Sequence, residues 1–347
     1  MNKRDEKHLF RAVAVFCLAF VIITVFITTD INGTIFGKSN KKNKTNLMAD
    51  VLDKDTVIVG DNFEVITKER IIIKLPSGVN ENNTKIDKDL INKKIGVIFP
   101  KGTSEYDFND IKVDNTNISN VHYSIDGNMI NIEFECICIL DCIPCFDNGE
   151  LFLDFFKPCD AEMPVVVIDP GHGGYDVGAI EKGIYEKNID LEICLMLKQL
   201  LDSENMLVYY TRLDDSYPTV EERVDFSNEI MPDLFISIHS NAYEDSSVYG
   251  TSVLYNTKDK SEKNSLWLSK IMCEKLSESC NSYDKGVIAG NDIHIVRNSK
   301  VPVALLEVGF MSNPKDFEML TSAPGQIKIA RGIYNGIIRA LTELGKY

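Results

Sequence analysis

The chain has 347 residues, with 37 Lys and Arg against 52 Asp and Glu, and a formal net charge of −15. Hydrophobic residues make up 44% and charged residues 26% of the chain, which is typical of globular protein and excludes disordered and fibrous classes. The acidic balance also excludes a general affinity for nucleic acid, because such affinity depends on basic side chains that release phosphate counterions. From the length we expect about two folded domains.

Residues 1–29 are predicted to be a cytoplasmic tip followed by a transmembrane anchor. A basic segment precedes an apolar run from Ala12 to Ile27, whose only polar member is Thr24. About 20 such residues span a hydrocarbon core as a helix. No small-x-small cleavage site closes the run, so we expect a retained single-pass anchor, with secretion after signal cleavage as the alternative. The preceding basic residues favour a cytoplasmic N-terminus, with the rest of the chain outside.

Residues 30–50 are rich in Asn and Lys, lack hydrophobic periodicity and are predicted to be a linker. Residues 51–160 carry short β-branched and aromatic runs separated by Gly, Pro, Asn and Asp, a pattern that predicts strands and turns. The predicted strands are 57–59, 63–66, 71–75, 95–99, 121–125, 129–134 and 151–155. Asp126-Gly127-Asn128 predicts a hairpin turn between two of them. We therefore expect a β-rich, sandwich-like domain in this region.

From about residue 163 the pattern changes to alternating strands and helices. The continuous apolar run Val165 to Ile168 is expected for a parallel strand that is covered on both faces. Further strands are predicted at 207–210, 234–238, 251–255, 293–296 and 303–306, and helices from Glu186 to about 201 and near 219–230, 262–279 and 324–344. Thr219 and Glu222 have the spacing of a capping box. The alternation predicts a three-layer α/β/α domain with a mostly parallel sheet over residues 163–347.

Four polar side chains of this domain lie where predicted strands end or a helix begins. His172 follows the first strand, Glu186 opens the first helix, and His239 and Glu307 end two later strands. Because the carboxyl ends of strands border one crevice in open α/β sheets, we expect the four side chains to meet. Two imidazoles and a carboxylate are a known ligand set for catalytic Zn²⁺, and a second carboxylate can act as a general base. From the residues alone, each His could still be an ordinary loop residue, and Glu186 could simply favour a helix N-terminus.

These side chains belong to four motifs: Asp169-Pro-Gly-His-Gly-Gly-Tyr-Asp176 with Gly178-Ala179, Glu186-Lys187, Ser237-Ile-His-Ser-Asn-Ala242 and Leu306-Glu-Val-Gly-Phe-Met-Ser-Asn313. Together they closely resemble the zinc-dependent N-acetylmuramoyl-L-alanine amidases of the type 3 family, over residues 163–344 or so. The resemblance implies that His172, Glu186 and His239 bind zinc and that Glu307 is the general base and acid. It also implies a peptidoglycan substrate, cleaved between N-acetylmuramic acid and L-alanine.

Two other functions stay open at this point. An amidase-like module without catalysis could bind peptidoglycan or recruit partners, and a zinc peptidase could cleave ordinary peptides. A module that has lost catalysis usually lacks a metal ligand or the general base. All four of these residues are present here, which favours an enzyme. In some members of the family a small β-sandwich targets the amidase to the wall or septum. Residues 51–160 could therefore bind the wall, an activator or a regulator, or serve as a spacer.

The remaining candidate residues have weaker signals. Asn241 and Asp169 could orient a ligand, although a structural role is favoured for both, as it is for His294 on its predicted strand. Five cysteines of the β-rich region lie close together in the sequence: Cys136, Cys138, Cys142, Cys145 and Cys159. A disulfide across a hairpin is the favoured interpretation, with free thiols and a second metal site as alternatives.

Overall fold

The computed structural model of the protein describes residues 56–59, 63–66, 69–103, 106, 108 and 111–347, which belong to one compact unit. The predicted anchor and linker lie outside these residues. Within the described residues, no helix has the length and apolar character needed to cross a membrane. Strands β1 (Thr56–Val59) and β2 (Phe63–Ile66) pair as an antiparallel hairpin.

Two four-stranded antiparallel sheets make up the β-rich region. The first contains β3 (Glu69–Lys74), β6 (Ile111–Asp114), β9 (Asp141–Asp147) and β10 (Glu150–Phe156), in the order β6-β3-β10-β9. The second contains β4 (Lys85–Asp89), β5 (Lys94–Pro100), β7 (Ile118–Asp126) and β8 (Met129–Cys136), in the order β4-β5-β8-β7. Alternate residues of β5 and β8 are buried, and both sheets contribute to one apolar core. The two sheets therefore pack face to face as a sandwich.

The sequence predicted seven of the ten strands described in this region, and the turn at Gly127-Asn128 between β7 and β8. It missed β4, β6 and β9. Strand β4 has the sequence KIDKD and lies at a sheet edge with most residues exposed, so it lacks a buried alternating face. Strand β9 opens with a buried Asp141 and contains Pro144, which the sequence pattern does not associate with a strand.

The second region is built on a six-stranded sheet. Its strands are β11 (Val165–Pro170), β14 (Leu207–Tyr210), β15 (Leu234–Asn241), β16 (Thr251–Tyr255), β17 (Asp284–Ala289) and β18 (Val303–Phe310). They are ordered β14-β11-β15-β18-β16-β17, and only the β16–β18 pair is antiparallel. The predicted mostly parallel sheet is confirmed. A short hairpin of β12 (Ile180–Glu181) and β13 (Ile184–Tyr185) precedes the first helix.

Helices cover both faces of this sheet. They are α1 (Glu186–Leu201), α2 (Val220–Ile230), α3 (Ser265–Cys280), α4 (His294–Asn298), α5 (Pro314–Thr321) and α6 (Ala323–Glu343). Val166 and Ile168 of β11 share one core with α1, α3 and α6, whereas Val165 and Val167 share another with α2 and α4. Burial on both faces explains the continuous apolar run of β11, and the three-layer prediction holds for this region.

The structure corrects the secondary structure predicted around His294. Residues 293–296 were expected to form a strand, but His294 begins the short helix α4, in which Ile295 and Val296 are buried. Strand β17 and helix α5 were not predicted. The capping box is confirmed, because the Thr219 hydroxyl accepts from the Glu222 amide at 3.2 Å and the Thr219 amide donates to the Glu222 carboxylate at 2.7 Å.

The favoured disulfide of the β-rich region is wrong in this structure. Cys136, Cys142, Cys145 and Cys159 carry free thiols, and the Cys138 thiol lies 3.8 Å from Asn117 Oδ1. Burial raises the pKa of both Cys136 and Cys142 to about 12, so these two thiols stay protonated in the sandwich core. Among the described residues, no cluster with metal-ligand spacing includes these cysteines.

Polar contacts join the sandwich to the six-stranded sheet and its helices. Asp141 on β9 accepts hydrogen bonds from Lys88 at 2.5 Å and from the Tyr209 hydroxyl of β14 at 2.9 Å. Glu229 on α2 accepts from the Ile139 amide at 2.7 Å, and Ile139 also joins the core between α2 and the sheet. The β-rich region is thus packed directly against the face of the sheet that α2 covers.

Candidate metal centre

His172, Glu186 and His239 meet at the carboxyl edge of the sheet. Nε2 of His172 lies 3.2 Å and Nδ1 of His239 lies 3.1 Å from the same atom, Oε1 of Glu186. The two imidazole rings are nearly perpendicular, at 83°, with centroids 4.9 Å apart. Three donor atoms from three separate segments therefore face one small volume, as the sequence predicted for these side chains.

Two glycines make this approach sterically feasible. A Cβ on Gly171 would collide with the imidazole ring of His239, and one on Gly178 would lie 2.6 Å from Oε2 of Glu186. His172 itself has a φ of 56°, a left-handed conformation that is uncommon for a residue with a side chain. The loop after β11 is therefore bent tightly around the ligand atoms, and its conformation has to be held by its neighbours.

Glu186 is held by backbone donors in addition to the two imidazoles. Its Oε2 accepts from the Ala179 amide at 2.8 Å, and its Oε1 accepts from the Ser240 amide at 3.1 Å. Burial acts to raise the pKa of Glu186, but hydrogen bonds and charge interactions with His172 and His239 outweigh it and lower that pKa well below its ordinary value. The carboxylate is therefore ionised, as a metal ligand must be.

Asp176 fixes the orientation of the first imidazole. Its Oδ2 lies 2.9 Å from Nδ1 of His172, which leaves Nε2 to face Glu186. Burial acts to lower the pKa of His172, but Glu186 and Asp176 together raise it. A carboxylate on the outer nitrogen of a histidine ligand commonly fixes its tautomer and ring orientation. The sequence analysis did not assign this role to Asp176, although the residue lies in the first motif.

Glu307 lies across the strand pair from His239, since these two residues are directly paired between β15 and β18. Its Oε2 is buried and has no hydrogen-bond partner. Burial and the charge of Glu186 raise the pKa of Glu307, the two histidines partly oppose this shift, and the net pKa is about 7. An unpartnered carboxyl group with a pKa near neutrality is suited to accept and return a proton.

The sequence analysis missed Asp190, which lies one helical turn after Glu186 on α1. Donor atoms of Asp190, His172, Glu186 and His239 all lie within 4.8 Å of one another. Asp190 is fully buried, accepts from the Ser240 hydroxyl at 2.9 Å, and has no partner for its Oδ2. Burial raises its pKa well above the ordinary value. The i, i+4 spacing from Glu186 could have identified it, because such residues share a helix face.

Asp169 has a structural role at the site and is not itself a candidate metal ligand. This fully buried carboxylate accepts from the hydroxyls of Thr211 and Ser237 at 2.6 and 2.7 Å and from Arg223 at 2.7 Å. Arg223 in turn donates to the backbone carbonyl of His172 at 2.5 Å. Arg223 thus makes a buried structural ion pair with Asp169.

Two other candidates lie outside the cluster. Asn241 pairs with β18 through its backbone, and its carbonyl accepts from the Met311 amide at 2.7 Å. His294 lies at the start of α4, where its Nδ1 is 4.0 Å from Oε1 of Glu221. Neither side chain belongs to the group with metal-ligand spacing in the described part of the chain. The structural role of His294 therefore stays a prediction, whereas its predicted strand is wrong.

The donor set fits a tetrahedral divalent ion. Two donors bound about 2.0–2.1 Å from one tetrahedral ion lie about 3.3–3.4 Å apart, close to the observed separations of 3.2 and 3.1 Å. Two imidazoles and one carboxylate leave a fourth position open, as in catalytic sites of Zn²⁺. Glu307, whose Oε2 is buried and unpartnered, is the direct strand partner of His239.

Comparisons with known proteins agree with this arrangement. Residues 166–339, half of the chain, match the family model for N-acetylmuramoyl-L-alanine amidase. N-acetylmuramoyl-L-alanine amidase LytC of Bacillus subtilis is 33% identical over 173 residues, or 50% of this chain and 34% of the relative. The germination-specific N-acetylmuramoyl-L-alanine amidase of the same organism is 30% identical over 215 residues, or 58% of this chain and 88% of the relative.

A solved structure matches as well. The crystal structure of N-acetylmuramoyl-L-alanine amidase from Clostridium difficile 630 has a TM-score of 0.50 and 29% identity, and the match covers 52% of this chain and 98% of that one. The chain thus spans about a third of LytC but most of the shorter relatives. The matched segment contains all four predicted site residues: His172, Glu186, His239 and Glu307. The chain belongs to the N-acetylmuramoyl-L-alanine amidase family of cell-wall hydrolases.

Proposed function

We propose that this protein uses Zn²⁺ to hydrolyse the amide bond between N-acetylmuramic acid and L-alanine in peptidoglycan. The observation that carries the proposal is the position of Glu307, whose buried Oε2 has no partner and which is the direct strand partner of His239, one of the three residues whose donor atoms converge. Nε2 of His172, Oε1 of Glu186 and Nδ1 of His239 would hold the ion. When bound, zinc lowers the pKa of water to about 7 and polarises a carbonyl.

Glu307 carries the proton transfers in this proposal. Its carboxylate accepts a proton as water adds to the lactyl amide carbonyl, and a carbon–oxygen bond forms. The carbon–nitrogen bond then breaks, and Glu307 donates the proton to the departing alanine nitrogen. The products are the lactyl carboxylic acid on the sugar and a stem peptide with a free amine. A pKa of about 7 allows both transfers near neutral pH, because neither protonation state is strongly disfavoured.

Three side chains position this machinery without touching the substrate. Asp176 orients the ring of His172, and Arg223 holds the backbone carbonyl of the same residue. Ser240 connects the ligand Glu186 to Asp190, since its amide donates to Glu186 and its hydroxyl donates to Asp190. These contacts keep the donors in place before any ion or substrate binds, which lowers the reorganisation needed for catalysis.

We also propose where the enzyme works. Residues 1–29 anchor it in the cell membrane, residues 30–50 form a linker, and the catalytic domain of residues 163–347 acts outside the cytoplasm. A net charge of −15 gives no bulk attraction to acidic wall polymers, so binding has to come from specific sites. Residues 51–160 are the proposed docking region for peptidoglycan or for a protein activator or regulator.

The reaction can be tested by digesting purified peptidoglycan with the full chain in detergent, with and without a chelator. Mass spectrometry should detect stem peptides with a free L-alanine amine, and the chelator should abolish their release. Glu307→Gln should keep its zinc but lose about 10²–10⁴-fold in rate, because general acid–base catalysis contributes on that scale. His239→Ala should lose both zinc and activity.

Glu343→Gln, at an exposed surface ion pair, serves as the control and should behave as wild type. Undiminished hydrolysis by Glu307→Gln would refute its assignment. Cleavage inside the stem peptide instead of before L-alanine would identify a zinc peptidase. Binding of peptidoglycan without release of any product would identify a non-catalytic module.

A further inference from the structure

Tyr175 lies at the tip of a two-residue turn beside the metal ligands. Gly173 and Asp176 exchange backbone hydrogen bonds of 2.9 and 3.0 Å, which place Gly174 and Tyr175 at the turn. Asp176 orients the ring of His172. The side chain of Tyr175 is nevertheless 81% exposed, which makes it the most exposed large hydrophobic side chain of the described residues. A large aromatic ring is thus presented to solvent one residue from the machinery of the site.

A second tyrosine completes an aromatic pair. The rings of Tyr175 and Tyr217 are 4.3 Å apart at their centroids and tilted by 49°. Tyr217 packs against the same turn, since its Cβ lies 3.0 Å from where a Cβ on Gly174 would be. The two rings therefore form one continuous surface along the rim of the site.

Hydrogen bonds fix the two loops that carry these rings to each other. The Gly174 amide donates to the Asp215 carbonyl at 2.9 Å. The buried Lys187 donates to the Gly174 carbonyl and to the Asp215 carboxylate, both at 2.7 Å. A surface held in this way loses little conformational entropy when a ligand binds.

The charges around the pair favour a neutral ligand over an anionic one. The two loops, residues 173–178 and 214–217, contain three Asp and no Lys or Arg. A stem peptide with free carboxylates would meet like charges and no exposed cation from these loops. A pyranose ring is uncharged, has an apolar C–H face that packs on an aromatic ring, and carries hydroxyls that the tyrosine phenols can contact.

We propose that Tyr175 and Tyr217 form a sugar-binding platform for the glycan strand, which takes an N-acetylhexosamine ring near the cleaved muramic acid. The proposal rests on the proposed function, because it assumes a peptidoglycan substrate. It assigns the glycan to the side of the metal centre occupied by the 173–178 and 214–217 loops, and so leaves the opposite side for the stem peptide.

Binding measurements test the platform directly. The full chain, loaded with zinc and carrying Glu307→Gln to prevent turnover, is titrated with glycan strands stripped of stem peptides, and separately with free stem peptide. Tyr175→Leu and Tyr217→Leu should each weaken glycan binding about fivefold, the size of a typical aromatic contact, and leave stem-peptide binding unchanged. Tyr175→Trp, which keeps an aromatic ring, should bind glycan about as tightly as wild type. Tyr347→Leu is the matched control, since Tyr347 is 48% exposed and its hydroxyl contacts Glu204, which follows the C-terminal end of α1.

Steady-state kinetics on intact peptidoglycan give a second readout. They are measured in active enzyme, which retains Glu307. Both Leu variants should raise KM about fivefold with little change in kcat, because the contact holds remote parts of the substrate. Unchanged glycan affinity in both variants would overturn the platform, as would loss of stem-peptide affinity instead of glycan affinity. Loss of zinc from Tyr175→Leu would also overturn it, by making the residue a structural part of the loop.

Failure of the platform and failure of the proposed function are distinguishable. If wild-type enzyme releases stem peptides but the Leu variants bind glycan normally, the platform is wrong and the amidase assignment stands. If wild-type enzyme releases nothing, the amidase assignment is wrong, and the titration with stripped glycan still decides whether the tyrosine pair binds sugar.

Discussion

Arg223 offers the sharpest test of how the loop after β11 is held. The residue is 2% exposed and donates four hydrogen bonds, to the carboxylate of Asp169 and to the carbonyls of Pro170, His172 and Pro218, at 2.5–2.8 Å. Replacing it with Ala would remove all four at once. We expect Arg223→Ala to lower both the stability of the protein and its affinity for Zn²⁺.

The size of the stability loss follows from the partner left behind. Asp169 is fully buried, and burial acts to raise its pKa, yet Arg223 and the two hydroxyls hold that pKa below its usual value. Removing one partner of a buried ion pair costs about 3–5 kcal/mol, because the other charge stays buried without compensation. At about 2–4 °C per kcal/mol for a domain of this size, the melting temperature should fall by about 6–20 °C.

The effect on zinc has a separate cause. His172 adopts a left-handed φ of 56°, and the Arg223 bond to its carbonyl helps to hold that conformation. Losing a contact that orients a ligand typically costs about 10–100-fold in metal affinity. Arg223→Lys keeps the positive charge but cannot reach four acceptors, so it should fall between wild type and Arg223→Ala in both measurements.

Thermal unfolding of the metal-free protein and competition with a fluorescent zinc chelator measure the two effects. Arg339→Ala is the control, because Arg339 makes exposed ion pairs with Glu274 and Glu343, and such pairs contribute about 0–1 kcal/mol. If Arg223→Ala unfolds at the wild-type temperature and binds zinc as tightly as wild type, then the buried network does not hold the loop. A stability loss with unchanged zinc affinity would refute only the link to His172.

Two further predictions concern the buried carboxyl groups. Because the folded pKa of Glu307 is raised from 4.5 to about 7, its contribution to stability is fully present below pH 4.5 and is lost as pH rises through 7. Between pH 5 and pH 8, urea unfolding of the metal-free protein should therefore show about 2.5 kcal/mol more loss of stability than Glu307→Gln, which has no ionisable group at this position; equal pH dependence of the two proteins would contradict the shift. Asp190→Asn should keep zinc affinity and hydrolysis near wild type, because an Asn carbonyl oxygen can still accept from the Ser240 hydroxyl; a drop in affinity of about tenfold or more, measured by chelator competition, would make Asp190 a ligand.

Much of the fold and the core of the site could be predicted because they depend on local patterns. The continuous apolar run of β11 reports burial on both faces, and polar residues that follow such strands meet at one edge of a parallel sheet. His239 and Glu307 are direct neighbours because β15 and β18 are parallel and adjacent. Local patterns do not show whether two strands 60 or more residues apart are neighbours. This part of the prediction depended on the family resemblance.

The missed features depend on tertiary contacts. Strand β17 is a sheet edge with little burial, and it pairs in parallel with β16, whose own antiparallel pairing with β18 no local pattern encodes. His294 begins a helix instead of continuing a strand, because Ile295 and Val296 both pack into the core shared with α2. No local pattern indicates that Arg223 binds the carbonyl of His172, 51 residues earlier in the chain.

Four acids lie in or behind the site, and three of them accept hydrogen bonds from charged or polar donors. Asp169 is paired with Arg223, Glu186 accepts from two imidazoles and two backbone amides, and Asp190 accepts from the Ser240 hydroxyl. Glu307 has neither a cation nor a donor at its buried Oε2, and its pKa lies near 7. Of the four, it is therefore the group whose proton is most easily gained and lost at neutral pH, which is why the proton transfers are assigned to Glu307 and not to another acid of the cluster.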